Sequence, residues 1–315
     1  MDAKKIIQSW EGKKVLCIGD CCLDVWTYHT VNRISPEAPV PVLDQDANHT
    51  FESGDGMGGL VASMVNALGG QATMVARPRH FWQVKTRIMA RAPGRGYQPI
   101  LRIDSTPPKS ISDAEADVLL DNARTALLDG CTSILVSDYS KGTVTHYLCQ
   151  ELSKLAGGFR VPIAVDPGRY ADWTWYRRML IKANESEMAG YGAPGEAIRK
   201  LELPALIVTG GSDGMELMVE DRSGGCQVTE IPGIPVDGAD PCGCGDQAMA
   251  VLGLGLAAFG RELDLKFCSD ELAQLCELAN VAARLQVQRH GCQPVTAQEL
   301  EEVIKKQQLT PSVAA

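Results

Sequence analysis

The chain has no Gly-Lys-Ser/Thr after a glycine-rich stretch, so it carries no Walker A loop and ordinary P-loop chemistry is excluded. It has no surplus of positive charge: 30 Lys and Arg stand against 39 Asp and Glu, a formal net charge of -9. No broad basic surface is therefore expected, so neither nucleic acid nor membrane is an expected partner, and any phosphate must be bound locally. No apolar run is long enough to span a bilayer. The longest, 248–259, is interrupted by Gly253 and Gly255 and reads as a buried helix. Residues 1–12 lack the apolar core of a secretory signal, which points to the cytoplasm. The 11 cysteines form no paired C-x-x-C sets and the 5 histidines are scattered, so no zinc site is expected. Reduced, mostly buried thiols are expected in place of disulfides.

What is present is a globular composition, 45% hydrophobic and 22% charged over 315 residues, with no internal repeat. Residues 14–18 form a short apolar run closed by Gly19-Asp20, the pattern of a buried first strand. Between 34 and 42 three prolines forbid a helix or a central strand and suit an edge strand or extended flap. A glycine-rich loop, 54–59, leads into a helix over 60–68 that Gly69-Gly70 ends. Short β-branched runs at 133–136, 163–165 and 206–208, with helical sequence such as 113–128 between them, predict a parallel sheet. Each run ends in polar or glycine residues at Ser137-Asp138, Asp166-Pro167-Gly168 and Thr209-Gly210-Gly211, where open α/β sheets place ligands. A second long helical pattern covers 271–287, and no linker divides the chain.

Asp240-Pro-Cys-Gly-Cys-Gly-Asp246 running into a helix is the strongest local signal. Glycines there let several N–H groups converge on an anion, and a helix start adds positive potential. Phosphoryl transfer needs such a cradle with a carboxylate beside it to deprotonate the attacking hydroxyl, and Asp246 sits where that base belongs. The plainer alternative is a helix cap on a tight turn. A dinucleotide fingerprint at Gly243-x-Gly245-x-x-Ala248 is disfavoured, because Pro241 and the polar 237–240 stretch replace the strand that should precede it.

In order and spacing, Gly19-Asp20-x-x-x-Asp24, Gly58-Gly59 and Gly243-x-Gly245-Asp246 resemble the ribokinase/PfkB carbohydrate kinases. Within that family, Arg33-Ile-Ser-Pro-Glu-Ala-Pro-Val-Pro-Val42 and Ser137-Asp-Tyr-Ser-Lys-Gly142 look like the D-glycero-β-D-manno-heptose 7-phosphate kinase branch. The resemblance implies a ribokinase-like α/β fold: a mostly parallel sheet between helices, one kinase domain over 1–315, and a small β-flap from about 24–50 and 84–104. It implies ATP as donor with Mg2+, a sugar phosphate as acceptor, and a homodimer through the flap. Asp246 would be the base and Gly243, Cys244 and Gly245 the anion hole. Asp20, Asp24 and Asp138 would meet the sugar, with Gly58 and Gly59 allowing close approach. Asn184 and Glu187 would help to place Mg2+, Glu187 indirectly. Thr209, Gly211 and Gly214 resemble the nucleotide loop, and Asn280 would border the adenine. Charge alone assigns Arg33, Lys85 and Arg87 to the acceptor's phosphate. Plainer readings are turn residues for Asp20 and Asp24, a surface amide for Asn280 and solvated charges for the cations.

The chain departs from the family at Ala62, where an Asn is usual, at Cys242 and Gln247 around the cradle, and at Gly168, where the heptose branch usually has Lys. Arg169 could stand in for that lysine. Only 78–84 spans a segment where the family runs a helix and a strand. No stretch resembles a nucleotidyltransferase half, so a separate enzyme is expected for that step. The expected activity is Mg-ATP-dependent phosphorylation of heptose 7-phosphate at the C1 hydroxyl. The alternatives are a kinase for another sugar or nucleoside, and a nucleotide-binding homologue acting through a partner.

Overall fold

The structure, a computed structural model, describes residues 3–48, 51–220, 225–234, 236, 241–259, 269–289 and 291–309. Asp240, at the head of the glycine turn, and the 237–239 stretch before it lie outside the described residues. The first half of the chain runs α1 (Ala3–Gln8), β1 (Lys14–Gly19), β2 (Cys21–Ile34), β3 (Pro41–Gln45), β4 (Phe51–Met57), α2 (Gly58–Ala67), β5 (Gln71–Val75), β6 (Gln83–Arg91), β7 (Gln98–Asp104), α3 (Asp113–Leu128), β8 (Ser133–Ser137) and α4 (His146–Phe159). The second half runs β9 (Ile163–Asp166), β10 (Leu180–Asn184), α5 (Glu185–Tyr191), α6 (Pro194–Leu201), β11 (Leu206–Thr209), β12 (Gly214–Glu220), β13 (Cys226–Pro232), α7 (Cys244–Phe259), α8 (Ser269–Val287) and α9 (Ala297–Leu309).

Eight strands form the main sheet in the order β13-β12-β11-β10-β9-β8-β1-β5. From β5 to β11 neighbouring strands are parallel, and β12 and β13 close one edge antiparallel. Strand periodicity splits the side chains between two cores. Val15 and Cys17 pack with α1, α2, α7, α8 and α9, whereas Leu16 and Ile18 pack with α3, α4 and α6. Burial on both faces is why these strands read as unbroken apolar runs. Helix α7 is buried along nearly its whole length, and Gly253 lets it approach β8, since a Cβ there would lie 2.5 Å from Leu135 Cδ1. Helix α3 starts on a capping box between Ser112 and Glu115.

The second sheet is built around the 14-residue β2. Its order is β3-β2-β6-β7, with β4 also pairing with β2. Strand β2 runs out of the main body: Cys21 to Thr27 pair with β4, and His29 to Ile34 pair with β3. The proline-rich stretch turns the chain between Ile34 and Pro41, which are register partners. The glycine-rich 54–59 stretch, expected as a loop, is the end of strand β4 up to Met57 and the start of α2 at Gly58 and Gly59. Gly56 faces Cys22, and a Cβ there would collide with the Asp24 carboxylate, so glycine permits the pairing. The short 78–84 link holds a turn of 3-10 helix, Arg79–Phe81, pinned by the Trp82 indole N–H donating to the Arg77 carbonyl at 2.8 Å.

Candidate active site

Register places the polar ends of five parallel strands along one edge. Gly19 aligns with Ser137, Ser137 with Asp166, and Asn184 with Thr209, so Asp20, Asp138, Asp166, Asn184 and Thr209 all emerge on that side. Helix α7 begins over the same edge with the Gly243-Cys244-Gly245 turn. Gly243 has φ +82°, which favours glycine, and its carbonyl accepts the Gln247 N–H at 2.8 Å. The first N–H groups of such a helix have no acceptor within it and present a partial positive charge.

Asp246 stands in the first turn of α7 and accepts a 2.6 Å hydrogen bond from the Tyr139 hydroxyl. Burial pushes its carboxyl up to about 6; the Tyr139 hydrogen bond opposes this, Asp166 adds to it, and Lys182 and Lys85 pull it back. Both residues line a cavity of about 420 Å³ together with Lys85, Lys141, Arg169 and Lys182. Asp138, Asn184, Glu187 and Gly245 face the same space. Lys85 lies 5.7 Å from the centre of the Tyr139 ring. Burial and Tyr139's own tie to Asp246 hold its phenol in the protonated, donating form.

Several sequence-derived residues stand elsewhere than expected. Asp20 is 1% exposed, and its carboxylate accepts backbone N–H groups of Tyr139 (2.9 Å), Lys141 (2.8 Å) and Thr143 (2.9 Å). It therefore holds the loop that carries Tyr139 and Lys141, the plainer of its two readings, and is not free for a sugar hydroxyl. Asp24 is buried and ion-paired with Arg87, whose guanidinium also lies over Trp26 at 5.0 Å. That pairing neutralises Arg87, so it is not an open cation for a phosphate. Arg33 is exposed at the far end of β2, about 30 Å beyond Asp24 at the usual rise of about 3.3 Å per residue, and does not line the cavity. Of the three cations assigned from charge, Lys85 alone lines it. Arg169, expected only as a stand-in for the usual lysine, lines it too; Lys141 was missed, and Arg102, bound bidentate to Asp104 at 2.7 Å, also reaches it.

Asp138 accepts from the Ser140 N–H at 2.7 Å and from the Tyr176 hydroxyl, and burial pushes its carboxyl up to about 6. Gly58 donates its N–H to the Asp20 carbonyl at 2.9 Å, and a Cβ there would lie 3.0 Å from that oxygen, which ties α2 to β1. At Gly59 a Cβ would meet that of Asp55 at 2.8 Å. Asn184 and Glu187 form the capping box of α5: Asn184 Oδ1 accepts the Glu187 N–H at 3.0 Å and Glu187 Oε2 accepts the Asn184 N–H at 2.8 Å. Burial raises the Glu187 carboxyl, against the pull of the Asn184 N–H. The Thr209 hydroxyl donates to the Ala183 carbonyl at 3.4 Å; Gly211 and Gly214 take φ +59° and +105° in the turn that follows. Beside this turn lies a second cavity of about 610 Å³ between α5, α6 and the β12–β13 pair, lined by Gly210 and Gly214. Asn280 is 8% exposed and donates to the Pro232 carbonyl at 2.7 Å, joining α8 to β13. It is not a surface amide.

Of the departures from the family pattern, Gln247 and Ala62 point into the protein, and Cys242 is partly exposed. Gln247 is fully buried and its Oε1 accepts the Val295 N–H at 3.1 Å. Cys242 Sγ lies 3.0 Å from Cys292 Sγ, and no disulfide forms among the described cysteines. Ala62 packs in the core shared by α2 and α7. No group of three or more His, Cys, Asp and Glu side chains among the described residues could hold a metal by itself. None of the helices among them is long and apolar enough to cross a membrane.

Residues 178–299 match the model of the pfkB family carbohydrate kinases. Over that segment the chain is similar to the PfkB carbohydrate kinases. Among curated proteins it is 30% identical over 334 residues to the bifunctional protein HldE of Stutzerimonas stutzeri, covering 93% of this chain and 64% of that one. The HldE protein of Rhodospirillum rubrum is 28% identical over 347 residues, with 97% and 65% covered. The chain thus spans less than two thirds of the length of these relatives. Solved structures give the same kind of fold. Ribokinase from Giardia lamblia superposes with a TM-score of 0.62 at 16% identity over 94% of this chain and 99% of that one. A mutant of phosphofructokinase-2 from Escherichia coli gives 0.64 at 15% identity over the same shares. The fold is ribokinase-like, with a mostly parallel central sheet.

Proposed function

We propose that this protein transfers the terminal phosphoryl group of ATP to a hydroxyl of a sugar phosphate, with D-glycero-β-D-manno-heptose 7-phosphate at its C1 hydroxyl as the acceptor. The observation that carries the reading is one cavity lined by a base, by Gly245 of the cradle and by cations able to meet a second phosphate. Asp246 stands at the start of α7, and Lys85, Lys141 and Arg169 line the same space. None of those three cations has a carboxylate within ion-pair distance among the described residues. An unphosphorylated sugar or a nucleoside gives such a cluster nothing to bind. The likeness to the HldE proteins, and to the heptose branch at residues 33–42 and 137–142, favours a heptose phosphate.

In this reading the acceptor hydroxyl lies against Asp246, which takes its proton as the oxygen attacks in line. Tyr139 holds Oδ1 of the base, leaving Oδ2 to face the hydroxyl. The N–H groups of Gly243 and Gly245 meet the transferring phosphoryl group, where charge spreads over its oxygens, while that of Cys244 donates to the Pro241 carbonyl at 3.3 Å. Asn184 and Glu187 offer oxygen atoms at the cavity wall. They fit Mg2+ held mainly by ATP phosphates and water, with Glu187 acting through water. When bound, that ion would neutralise phosphate charge. The second sheet is the lid in this scheme, and the chain is one kinase domain. Exposed Ile34, Val40, Ile100, Leu101 and Ile103 on the lid strands and the turn joining them suit pairing of two lids in a homodimer.

The test is phosphate transfer from Mg-ATP to heptose 7-phosphate, fructose 6-phosphate, ribose and adenosine, with the native chain and Asp246→Asn. Transfer to the heptose phosphate, reduced at least about a thousandfold in the variant, supports the reading. Equal background in both proteins refutes it.

A further inference from the structure

Lys182 is a charged residue in the middle of the otherwise apolar strand β10, Leu180-Ile-Lys-Ala-Asn184, and is 4% exposed. A lysine so deeply buried is costly unless its charge is met by a partner or a ligand. Alternation along β10 puts Ile181 and Ala183 into the core beneath α4 and α6, and Lys182 with Leu180 on the opposite face, the one α7 covers. Its Nζ donates to Asp166 Oδ2 at 2.7 Å and lies 3.5 Å from the Gly245 carbonyl oxygen. A Cβ built on Gly245 would stand 3.1 Å from it. The ammonium group therefore sits beneath the first turn of α7 and lines the cavity with Gly245 and Asp246.

An ammonium group has three N–H donors, and these two contacts engage two of them. Asp166 alone does not account for the placement, because an ion pair could be buried anywhere along the sheet. This one is set where phosphoryl transfer concentrates negative charge. Asp138, Asp166, Glu187 and Asp246 all face the same cavity, and four carboxylates would repel an incoming triphosphate. A fixed cation beneath the cradle offsets that repulsion and strengthens as charge builds on the moving group.

We propose that Lys182 is a catalytic residue whose ammonium group binds the phosphoryl group being transferred at the start of α7. This rests on the kinase reading above, and the experiment keeps the two apart. Lys182→Met and the double variant Asp166→Asn/Lys182→Met are compared with the native chain for phosphate transfer to heptose 7-phosphate. ADP and β,γ-imido-ATP binding are measured by calorimetry, which needs no acceptor. Removing a donor of this type costs about 10²–10³ in kcat. The proposal expects that loss in both variants, with ADP affinity unchanged and the native preference for β,γ-imido-ATP over ADP reduced about tenfold or more. A lysine that only partners Asp166 gives a different result, since the double variant removes the unpaired carboxylate and recovers kcat to within about threefold; that recovery overturns the proposal. If the native chain transfers phosphate to no acceptor, the kinase reading falls and calorimetry decides the role of Lys182. A lysine-dependent preference for β,γ-imido-ATP upholds it, and equal binding of both nucleotides, or of neither, overturns it.

Discussion

Replacing Tyr139 by Phe removes one oxygen and nothing else, yet it should move the pH dependence of the reaction. The Tyr139 hydroxyl donates to Asp246 Oδ1 at 2.6 Å, a short bond to a carboxylate whose burial has already pushed it up to about 6. A hydrogen bond to a charged group is worth about 1.5–3 kcal/mol. At about 1.36 kcal/mol per pKa unit, its loss raises the carboxyl by about one to two units, to about 7 or 8. Asp246 works as a base in its deprotonated form, so activity falls as pH drops through its pKa. The native chain should lose activity below about pH 6, and the variant below about pH 7 or 8, a loss of about twofold to tenfold at pH 7 that largely disappears near pH 9. A coupled assay of ADP release over that pH range, with both substrates saturating, measures it. An acid limb in the same place for both proteins, or a loss of kcat that is the same at every pH, refutes the assignment of Tyr139 as the group that tunes the base.

Asp246→Asn should abolish transfer and also stabilise the protein. The carboxyl is raised in the folded chain, so its contribution to stability is fully present below about pH 4 and is lost as pH rises through about 6; thermal melts should show the variant ahead by up to about 3 kcal/mol at pH 8 and level with the native chain near pH 4. Lys141→Met and Arg169→Met should each raise KM for a sugar phosphate about tenfold or more with little change for ATP, whereas Arg33→Ala should leave both constants alone; initial-rate kinetics with each substrate varied separates these outcomes. Arg87→Met should destabilise the protein by about 3 kcal/mol in urea unfolding, because it strands the buried Asp24 carboxylate, and Asp24→Asn in the same chain should recover part of that loss.

Sequence patterns exposed the main sheet where burial on both faces leaves nothing but apolar residues. The runs at 133–136, 163–165 and 206–208 are β8, β9 and β11 to within a residue, and α3 covers the whole of 113–128. Strand β10 escaped because Lys182 interrupts its apolar run, and the same interruption was the one signal that could have found the buried lysine. Strands β12 and β13 escaped because neither is an unbroken apolar run: Glu216 interrupts the largely buried β12, and most of β13 is exposed at the antiparallel edge. At the site, spacing located the cradle and Asp246, since glycine turns before helices leave a local mark. It could not sort Asp20 from Asp24, because two carboxylates four residues apart look alike until the chain folds. One then takes up backbone N–H groups of the 139–143 loop and the other an arginine of the lid. Nor could charge alone sort the cations: Arg33 and Arg87 match Lys85 in type, and only the strand pairings show which of them reaches the cavity.

The departures from the family pattern sort by direction. Gln247 and Ala62 turn into the protein and the partly exposed Cys242 meets Cys292; none of the three lines the cavity, so its charge stays as it was. Gly168 is different. A Cβ there would lie 2.5 Å from Ser140 Oγ and 3.0 Å from the Asp138 carbonyl oxygen, so the loop after β9 packs against the 138–140 turn too closely for the lysine usual at this place. Close packing of those two loops and a side chain at position 168 exclude one another. The cavity nonetheless keeps its positive charge through two residues on either side of the conflict. Arg169, one position along, reaches the cavity past the tight contact, and Lys182 reaches it from beneath the sheet edge on the neighbouring strand. The charge has moved to where the backbone leaves room for it, and a search for the usual lysine at its usual position would pass over both.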